Sequence, residues 1–335
     1  YLFSSNMSVG LDVGSQSIKL VGMQKHRDTG TLKVFGHVAT PPGMVENGLI
    51  NNPEEVGMEL GKLVEQLKLK GSKAVSALSG QQVYTRLMTL PAMRPGEMRT
   101  AALYQSTSFL PISVDDITAD IYPVRQFDDP QGRMAEVFFV AARKTQAENL
   151  FKTCQIAGLK LTRLEIEPLA LKTLYQPHLM KDKVSAIINI GAQRSYLSVF
   201  QSSTLVFVRS IGFGCTAFFQ QIPQIIQNEC RLEDINAEDP DCQRLLRNLI
   251  DELIRSLDYF RLQNKEDNVT NIILCGGCAR LGGVEEYLSR ELNIPVQLGS
   301  ISERIKLPKS ITEEQYNDLR FDYPIALGLA LRGGA

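Results

Sequence analysis

The sequence has little of what a nucleic-acid-binding protein or a membrane-spanning protein needs. Its 36 Lys and Arg residues are balanced by 37 Asp and Glu residues, so the net charge of −1 provides no overall attraction to nucleic acid or anionic lipid. No apolar run approaches the roughly 20 residues that span a bilayer, and we expect no secretory leader. We therefore predict a cytoplasmic protein with no nucleic-acid partner.

Two common nucleotide motifs and a metal-binding pattern are also missing. There is no G-x-x-x-x-G-K-[S/T] loop, and no G-x-G-x-x-G run opens a helix after the first predicted strand. The six cysteines, at 154, 215, 230, 242, 275 and 278, do not have the spacing of a secreted disulfide framework. The pair Cys275 and Cys278 has no second Cys or His pair at zinc-ligand spacing, so we predict structural thiols at a strand end.

What the sequence does have is a turn near its start that is suited to a phosphate. Residues 9–20 contain aliphatic segments on both sides of Gly14-Ser15-Gln16-Ser17, which predicts a hairpin. We expect Gly14 to adopt backbone angles that other residues avoid, so that N–H groups and the two Ser hydroxyls point at one anion. Asp12 would hold a hydrated magnesium ion, and Lys19 would add a positive charge. Taken alone, the pattern fits an ordinary hairpin equally well.

The remainder of the first half predicts an α/β domain with an insertion. A third strand at residues 31–37, a helix at 53–69 and a buried strand at 73–79 follow the hairpin. A helix at 96–109 and alternating strands at 117–125 and 136–142 then predict a small αββ insertion. A helix at 145–157 ends at Gly158, and a strand and a helix follow it.

The second half begins like the first. Residues 184–200 again predict a strand, a glycine turn and a strand, with a third strand at 204–210. Asn189-Ile-Gly191 occupies the place that Asp12-Val-Gly14 has in the first hairpin. Two such domains would place their turns on opposite sides of one ligand.

A third glycine-rich element follows two predicted helices. Thr216 is expected to cap a helix that runs to about Cys230, and a longer amphipathic helix covers residues 245–262. The buried strand at residues 271–275 then leads into Gly276-Gly277, where the backbone can approach a flat ligand or a phosphate. A plain strand-to-helix turn is the alternative interpretation of this element.

These three elements, in this order, resemble the nucleotide-binding superfamily of actin and Hsp70. Local segments resemble one family of it more narrowly, the type IV pilus assembly PilM family, which is related to the cell-division protein FtsA. The resemblance covers nearly the whole chain from Ser8, and one of the segments that carry it is Glu167-Pro168-Leu169-Ala170. Its most specific segments are Leu90-Pro91-Ala-Met-Arg-Pro-Gly-Glu97, Phe109-Leu110-Pro111-Ile-Ser-Val-Asp115-Asp116 and Arg255-Ser256-Leu257-Asp258-Tyr259-Phe260.

The resemblance implies an α/β, actin-like (ribonuclease H-like) two-lobed fold with a small inserted αββ subdomain, as in FtsA. The first lobe would comprise residues 7–89 and 143–180, with residues 90–142 as the inserted subdomain. The second lobe would comprise residues 181–215 and 263–335, with residues 216–262 as a helical subdomain.

The resemblance also implies a function, a scaffold that binds ATP or ADP with Mg²⁺ between its lobes. Its partner would be the N-terminal cytoplasmic segment of a PilN-like inner-membrane protein, which would hold the chain at the inner face of the membrane and near the pilus motor components. Self-association is left open. The peptide groove would be lined by Leu87, Leu90, Leu103 and Leu110 of the inserted subdomain and its approach.

Carried over by position, the phosphates would be held by Gly14, Ser15, Gln16, Ser17 and Lys19 on one side and by Gly191, Ala192 and Gln193 on the other. Gly214 would lie nearby, and Gly276, Gly277 and Arg280 would lie against the adenosine. Two departures weaken the case for hydrolysis. Asn189 stands where the family usually has an acidic residue, and an amide brings no charge to hold magnesium or orient water. The lysine of a family Ala-Glu-x-x-Lys segment is replaced by Asp241. No catalytic residue is therefore predicted.

Two other functions remain open at this level. A sugar or acetate-type kinase of the same superfamily shares the opening motif but needs a carboxylate base beside the phosphates. Asp115, Asp116 and Asp120 lie in the insertion, away from the predicted turns. An FtsA-like cell-division or type II secretion adaptor with the same fold is harder to separate from the pilus scaffold.

Overall fold

The computed structural model describes residues 7–130, 132–179, 182–216, 240–264 and 267–333. A first lobe is built on a six-stranded sheet with strand order β10-β6-β1-β2-β3-β16. Its strands are β1 (Met7–Val13), β2 (Ser17–His26), β3 (Thr29–Ala39), β6 (Lys73–Leu78), β10 (Lys160–Ile166) and β16 (Ile305–Lys306). Strands β1, β2 and β3 are antiparallel neighbours, whereas β6 runs parallel to β1.

Successive side chains of a strand point to opposite faces of the first sheet, so each face forms a core and helices cover both. Val9 and Leu11 of β1 pack with helices α1 (Pro53–Gln66) and α3 (Lys144–Ile156). On the other face, β2 and β3 pack with α4 (Glu167–Tyr175) and with α8 (Pro324–Arg332), which is the last described helix. Gly10 is required where α8 crosses β1, since a Cβ there would lie 1.9 Å from the Ala326 carbonyl oxygen.

The start of α1 shows how the sequence sets a helix boundary. Asn52 is the N-cap, and its side-chain oxygen accepts a hydrogen bond of 3.1 Å from the Glu55 N–H. Pro53 occupies the first turn, where its missing N–H is not needed, and Glu54 adds negative charge at the positive end of the helix. A short hairpin of β4 (Val45–Glu46) and β5 (Leu49–Ile50) precedes this helix.

The second lobe repeats this plan. Its five-stranded sheet has the order β13-β12-β11-β14-β15, with antiparallel β11, β12 and β13 and with β14 parallel to β11. The predicted repeat of the opening hairpin is thereby confirmed. The elements are β11 (Val184–Ile190), β12 (Ser195–Gln201), β13 (Thr204–Ile211), β14 (Asn271–Cys275) and β15 (Val296–Leu298), with helices α5 (Pro240–Gln263) and α6 (Val284–Leu292) packed on the sheet.

The inserted sheet has one strand more than the predicted αββ arrangement. Strands β8 (Ile117–Asp129) and β9 (Gly132–Arg143) pair as expected, and α2 (Pro95–Ser106) packs on them. Strand β7 (Val83–Pro91) also belongs to this sheet, because it pairs with β9 along its whole length. The polar residues of this segment obscured its alternation, since Arg86 and Thr89 interrupt the apolar positions.

The helix that directly precedes α8 in the chain is α7 (Glu313–Asp322).

The helix predicted after β13 begins earlier than expected, and most of its predicted span falls outside the described residues. The helix after β13 starts at Cys215, so Thr216 lies inside its first turn rather than at the predicted cap. The remainder of the predicted helix, to about Cys230, falls on residues that the structure does not describe. Within the described ranges, no helix combines the length and the apolar character that a membrane crossing requires.

Candidate nucleotide site

A cleft of about 540 Å³ lies between the two lobes. Three backbone turns line it, which we call the first turn (residues 14–17), the second turn (residues 191–194) and the third turn (residues 276–280). Twelve of the fourteen predicted site residues line the cleft: Asp12, Gly14, Ser15, Gln16, Ser17, Lys19, Asn189, Gly191, Ala192, Gln193, Gly276 and Gly277. The structure therefore brings together motifs that are more than 250 residues apart in the sequence.

The first and second turns have the same hydrogen-bond geometry. Gly14 N–H donates to the Ser17 carbonyl oxygen at 3.1 Å, and Gly191 N–H donates to the Arg194 carbonyl oxygen at 3.0 Å. In each turn a Cβ on the glycine would lie 3.0 Å from that same oxygen. Gly14 does not have the positive φ that the sequence suggested, so tight packing inside the turn, rather than left-handed backbone, favours glycine there.

Thr40, which directly follows β3, fixes the shape of the first turn. Its hydroxyl donates to the Gly14 carbonyl oxygen at 2.7 Å, and its N–H donates to the Gln16 carbonyl oxygen at 2.9 Å. With these two carbonyls engaged by Thr40, the turn is held in one shape, and Ser15, Gln16 and Ser17 line the cleft. The turn is thus preorganised for an anion before any ligand arrives.

A cluster of ionisable and amide groups lies beneath the turns. Lys19 Nζ is 3.6 Å from Asp12 Oδ2, and Asn189 Nδ2 donates to Glu167 Oε1. Burial raises the pKa of Glu167 to about 8, and the negative charge of Asp12 adds to this while the Asn189 hydrogen bond opposes it. Burial also raises the pKa of Asp12, although Lys19 counteracts it. Glu167 is therefore mainly protonated at neutral pH.

Glu167 was not among the predicted site residues. It is 5% exposed and lies at the start of α4, where the chain leaves the end of β10. An acidic residue immediately after a strand that runs parallel to β6 is a recognisable signal, because the carboxyl ends of such strands converge on ligand sites. In the sequence, Glu167-Pro168 is recognisable only as part of a segment that resembles the family.

Hydrogen bonds cross the cleft between the lobes. Gln16 Nε2 donates to Thr216 Oγ1 at 2.9 Å, and Gly80 N–H donates to the Tyr196 hydroxyl at 2.5 Å. The Asn47 N–H donates to Gln193 Oε1 at 3.3 Å. Together with the contact between Asn189 and Glu167, these bonds hold the lobes in a closed arrangement around the cleft.

The two first-lobe turns that take part in these hydrogen bonds, at residues 47–48 and 79–80, are tightly packed against each other. Gly80 has φ of +98°, and a Cβ there would lie 1.9 Å from the Asn47 carbonyl oxygen. Gln146 Nε2 donates to the carbonyl oxygens of Gly48 at 3.1 Å and of Ser79 at 2.7 Å. Two neighbouring turns of the first lobe thus form one wall of the cleft. Their residues Asn47, Gly48 and Ser79 were not predicted as site residues.

Arg280 and Gly214, which were predicted as nucleotide contacts, are not among the residues that line the cleft. Arg280 instead donates to Asp318 at 3.0 Å and to Asp322 at 2.5 Å, which ties the third turn to α7. Gly214 supports the second turn from below, because a Cβ there would lie 2.3 Å from the Ala192 carbonyl oxygen. The cleft wall near Arg280 is formed by Asp318, Phe321, Asp322 and Tyr323, for which the sequence has no motif.

The cysteines differ from the predicted set of structural thiols. Cys215 and Cys278 are joined as a disulfide, with Cα atoms 5.6 Å apart. Cys154 and Cys275 are free and buried, and burial raises the pKa of both thiols, that of Cys154 to about 12. Across the described residues, no group of three or more His, Cys, Asp and Glu side chains is placed to hold a metal ion.

The four leucines of the predicted peptide groove do not share one surface. Leu87 points to the face of its sheet that packs with α4, whereas Leu90 lies on the other face and is 4% exposed. Successive residues of a strand alternate between faces, so an odd and an even position cannot line one groove. Leu103 and Leu110 are partly exposed at the edge of the inserted core, beside the exposed Tyr104.

Comparison with known proteins gives both a family and related folds. A family model described as type IV pilus assembly protein PilM matches residues 10–334. A solved PilM-PilN type IV pilus biogenesis complex is similar with a TM-score of 0.83 and 24% identity, over 97% of this chain and 98% of that chain. The ethanolamine utilization protein EutJ from Carboxydothermus hydrogenoformans is similar with a TM-score of 0.54 and 15% identity, over 98% and 90%. The predicted actin-like α/β fold is confirmed.

Proposed function

Because the chain belongs to the type IV pilus assembly PilM family, we propose that it is a scaffold that binds ATP or ADP between its lobes and a PilN-like segment on its inserted subdomain. The nucleotide part is supported by one observation above all. Two turns of equal geometry, one from each lobe, line the same cleft. The Gln16 side chain of the first turn donates across it to Thr216, whose N–H donates to the Ala192 carbonyl oxygen of the second turn. A phosphate chain fits between two such turns, which offer N–H groups from both sides.

The residues present suit Mg²⁺ bound through water. Asp12 has one carboxylate beside Lys19, and Asn189 contributes an amide rather than a second charge. Mg²⁺ commonly retains several waters and uses one or two carboxylates together with the phosphates. Asp12 would accept hydrogen bonds from those waters, while Lys19 would lie close to the phosphate charge. The ion would neutralise phosphate charge during binding.

The arrangement favours binding over hydrolysis. A general base must be ionised to take a proton from an attacking water. Glu167 has a pKa of about 8 and is engaged by Asn189, so most of it is protonated at neutral pH and occupied as an acceptor. The nucleotide is therefore a structural ligand that holds the lobes together, with weak or no turnover.

The partner part of the proposal rests on the inserted subdomain. Its α2 helix leaves Tyr104 82% exposed, with Leu103 and Leu110 partly exposed nearby. Large apolar side chains at a surface are typical of a docking site for a short amphipathic segment. The similar solved complex contains a PilN, and we propose the N-terminal cytoplasmic segment of a PilN-like protein as the occupant here. Binding it would hold the chain at the inner face of the cytoplasmic membrane.

The proposed lobes follow the predicted division, with two adjustments. Residues 7–82 and 144–179 form the first lobe, and the inserted subdomain begins with β7 at Val83. The second lobe comprises residues 182–215 and 267–298, with α5 in the helical subdomain, whereas β16 and α8 pack with the first lobe and belong to it. Gly80 lies next to β7, so the cleft wall and the proposed docking subdomain are consecutive in the chain.

Nucleotide binding is tested by calorimetric titration with ATP and ADP in the presence of Mg²⁺. The Lys19→Met variant should bind at least about tenfold more weakly, since hydrogen bonds to charged groups contribute about 1.5–3 kcal/mol. The exposed Lys33→Met variant is the matched control and should bind as the wild type does. Equal affinities for both variants, or no binding by the wild type, would contradict the nucleotide part.

Partner binding is tested with a peptide from the N-terminus of a PilN-like protein. We expect one-to-one binding that is lost in Leu103→Asp and kept in Gln126→Asp, whose side chain is exposed on β8. Circular dichroism of both variants verifies that the fold persists. Absence of peptide binding, combined with ATP consumption that a panel of sugars stimulates, would favour the kinase alternative instead.

A further inference from the structure

We propose that the Cys215–Cys278 disulfide is a reversible redox site in the floor of the cleft, and that the disulfide form binds nucleotide more tightly than the dithiol form. The second clause rests on the proposed nucleotide function, whereas the redox site itself does not. Cys215 supports the second turn and Cys278 belongs to the third turn, so the disulfide joins two different parts of the cleft.

Cys215 is part of the support of the second turn. Its N–H donates to the Gly191 carbonyl oxygen at 2.9 Å, and the N–H of the next residue, Thr216, donates to the Ala192 carbonyl oxygen at 2.9 Å. Thr216 also accepts the cross-cleft hydrogen bond from Gln16. A displacement of Cys215 would therefore move both the second turn and a contact between the lobes.

Cys278 belongs to the third turn. Ala279 N–H donates to the Gly276 carbonyl oxygen at 2.9 Å, and Gly276 packs so closely that a Cβ there would lie 2.4 Å from the Ile190 carbonyl oxygen. The disulfide joins this turn to Cys215, 63 residues earlier in the chain. It thus links the side of the cleft proposed for phosphates with the side proposed for adenosine.

The geometry also accommodates the reduced form. Cys215 Sγ lies 3.6 Å from the Ile190 carbonyl oxygen, to which a thiol can donate a weak hydrogen bond. A cystine sulfur has no proton for this contact. The Cα separation of 5.6 Å is in the usual range for a disulfide, so oxidation requires no large backbone movement.

The reaction is thiol–disulfide exchange with a low-molecular-weight disulfide such as oxidised glutathione. One cysteine loses its proton and attacks the glutathione disulfide, which forms a mixed disulfide and releases one glutathione thiolate. The second cysteine, also deprotonated, attacks the mixed disulfide and releases the second. Two protein thiols are oxidised, one glutathione disulfide is reduced to two thiols, and reduced glutathione reverses both steps.

Access comes through the cleft, because Cys215 is one of its lining residues. Cys215 and Cys278 are 4% and 7% exposed, whereas Cys154 and Cys275 are 0% and 1% exposed. A disulfide inside a reducing compartment is typically transient or regulatory, not a permanent staple. The location at a ligand cleft fits a regulatory role.

Thermodynamic linkage relates the affinity for ADP to the redox state of the two cysteines. The disulfide fixes the spacing of two turns that would both contact nucleotide, so less ordering remains to be done on binding. We expect ADP to bind the disulfide form at least threefold more tightly. By reciprocity, saturating ADP must then shift the glutathione equilibrium constant of the pair by the same factor.

The test equilibrates the full chain in glutathione redox buffers, with and without ADP and Mg²⁺, followed by acid quenching and peptide mass mapping without reductant. A cross-linked peptide pair containing Cys215 and Cys278 is expected in the wild type and in Cys154→Ala, and none in Cys215→Ser or Cys278→Ser. Calorimetry then compares ADP affinity for the oxidised and reduced wild type.

The possible outcomes distinguish the redox site, its coupling to nucleotide and the proposed nucleotide function. Absence of the cross-linked peptide at every redox ratio would overturn the redox site. A cross-link with equal ADP affinity in both forms would overturn the coupling, and so would an equilibrium constant that ADP leaves unchanged. If the cross-link forms and neither redox form binds ADP, both the coupling and the proposed nucleotide function are wrong.

Discussion

Replacement of Gly276 by alanine probes the contact between the third turn and the second lobe's first strand. Gly276 has φ of +93°, a region that an L residue adopts only with strain. An alanine Cβ would lie 2.4 Å from Asn189 Oδ1 and 2.4 Å from the Ile190 carbonyl oxygen. Both neighbours belong to β11 at its junction with the second turn, so relief of the clash displaces the cleft.

The magnitude follows from two separable contributions. Backbone strain at such a φ costs about 1–2 kcal/mol, of which a less flexible unfolded chain returns about 0.4–1 kcal/mol. Overpacking against fixed groups adds about 1–3 kcal/mol. Gly71→Ala is a control for the first contribution alone, because Gly71 has φ of +79° and nothing within 4 Å of its Cβ position. We expect Gly276→Ala to lose about 2–4 kcal/mol and Gly71→Ala about 1 kcal/mol.

The assay is urea denaturation of both variants followed by ATP titration of the folded proteins. Gly71→Ala should bind ATP as the wild type does, whereas Gly276→Ala should bind at least tenfold more weakly. Equal loss of stability in the two variants would refute the packing argument. Unchanged ATP affinity in Gly276→Ala would refute the placement of the third turn at the nucleotide.

Three further perturbations test the buried pair and the cross-cleft contacts. Glu167→Gln imitates the protonated carboxyl. Folding raises the pKa of Glu167 from an ordinary 4.5 to about 8, so the stability that this group contributes is complete below about pH 4.5 and is lost as pH rises through about 8. The free energy of unfolding of the variant, measured in urea, should therefore depend less on pH over that window. Asn189→Asp places a second carboxylate against Glu167 and should lower the unfolding midpoint most strongly near pH 8. Tyr196→Phe removes the hydrogen bond with Gly80, worth about 1 kcal/mol, and should weaken ATP binding about fivefold in calorimetry.

Matched controls identify what each result means. The exposed Glu148→Gln should leave the pH dependence of unfolding unchanged. An unaltered pH profile in Glu167→Gln would contradict the assignment of Glu167 as the buried titrating group. Tyr84→Phe removes a hydroxyl from the inserted sheet, away from the residues that line the cleft, and should leave ATP affinity unchanged. If Tyr196→Phe behaved in the same way, the cross-cleft bond would not stabilise the closed state.

The sequence was sufficient for those parts of the fold that are set by local patterns. The aliphatic segments on both sides of Gly14 and of Gly191 specify two hairpins, and their similarity predicted the repeat that the two sheets show. Strand β7 was missed because half of its residues are polar or face solvent, and its pairing partner β9 begins more than 40 residues later. Such pairing depends on tertiary context, which local propensity does not contain.

The site could be predicted only where its residues lie in motifs. The three turns have glycines at close approaches, and those glycines are visible in the sequence. Arg280 was assigned to the ligand because the sequence does not indicate its ion pairs with Asp318 and Asp322. These pairs arise from the packing of α7. The Cys215–Cys278 bond was not foreseen because neither residue has a neighbouring motif that indicates its partner.

The most direct test of the central claim is calorimetric titration of the wild-type protein with ATP and Mg²⁺, followed by titration of the loaded protein with the N-terminal peptide of a PilN-like protein. The account predicts one ATP per chain and one peptide per chain, with no measurable phosphate release over the titration. Peptide binding without any ATP binding would contradict the proposed cleft ligand, and rapid ATP hydrolysis would contradict the proposed role of the Glu167–Asn189 pair.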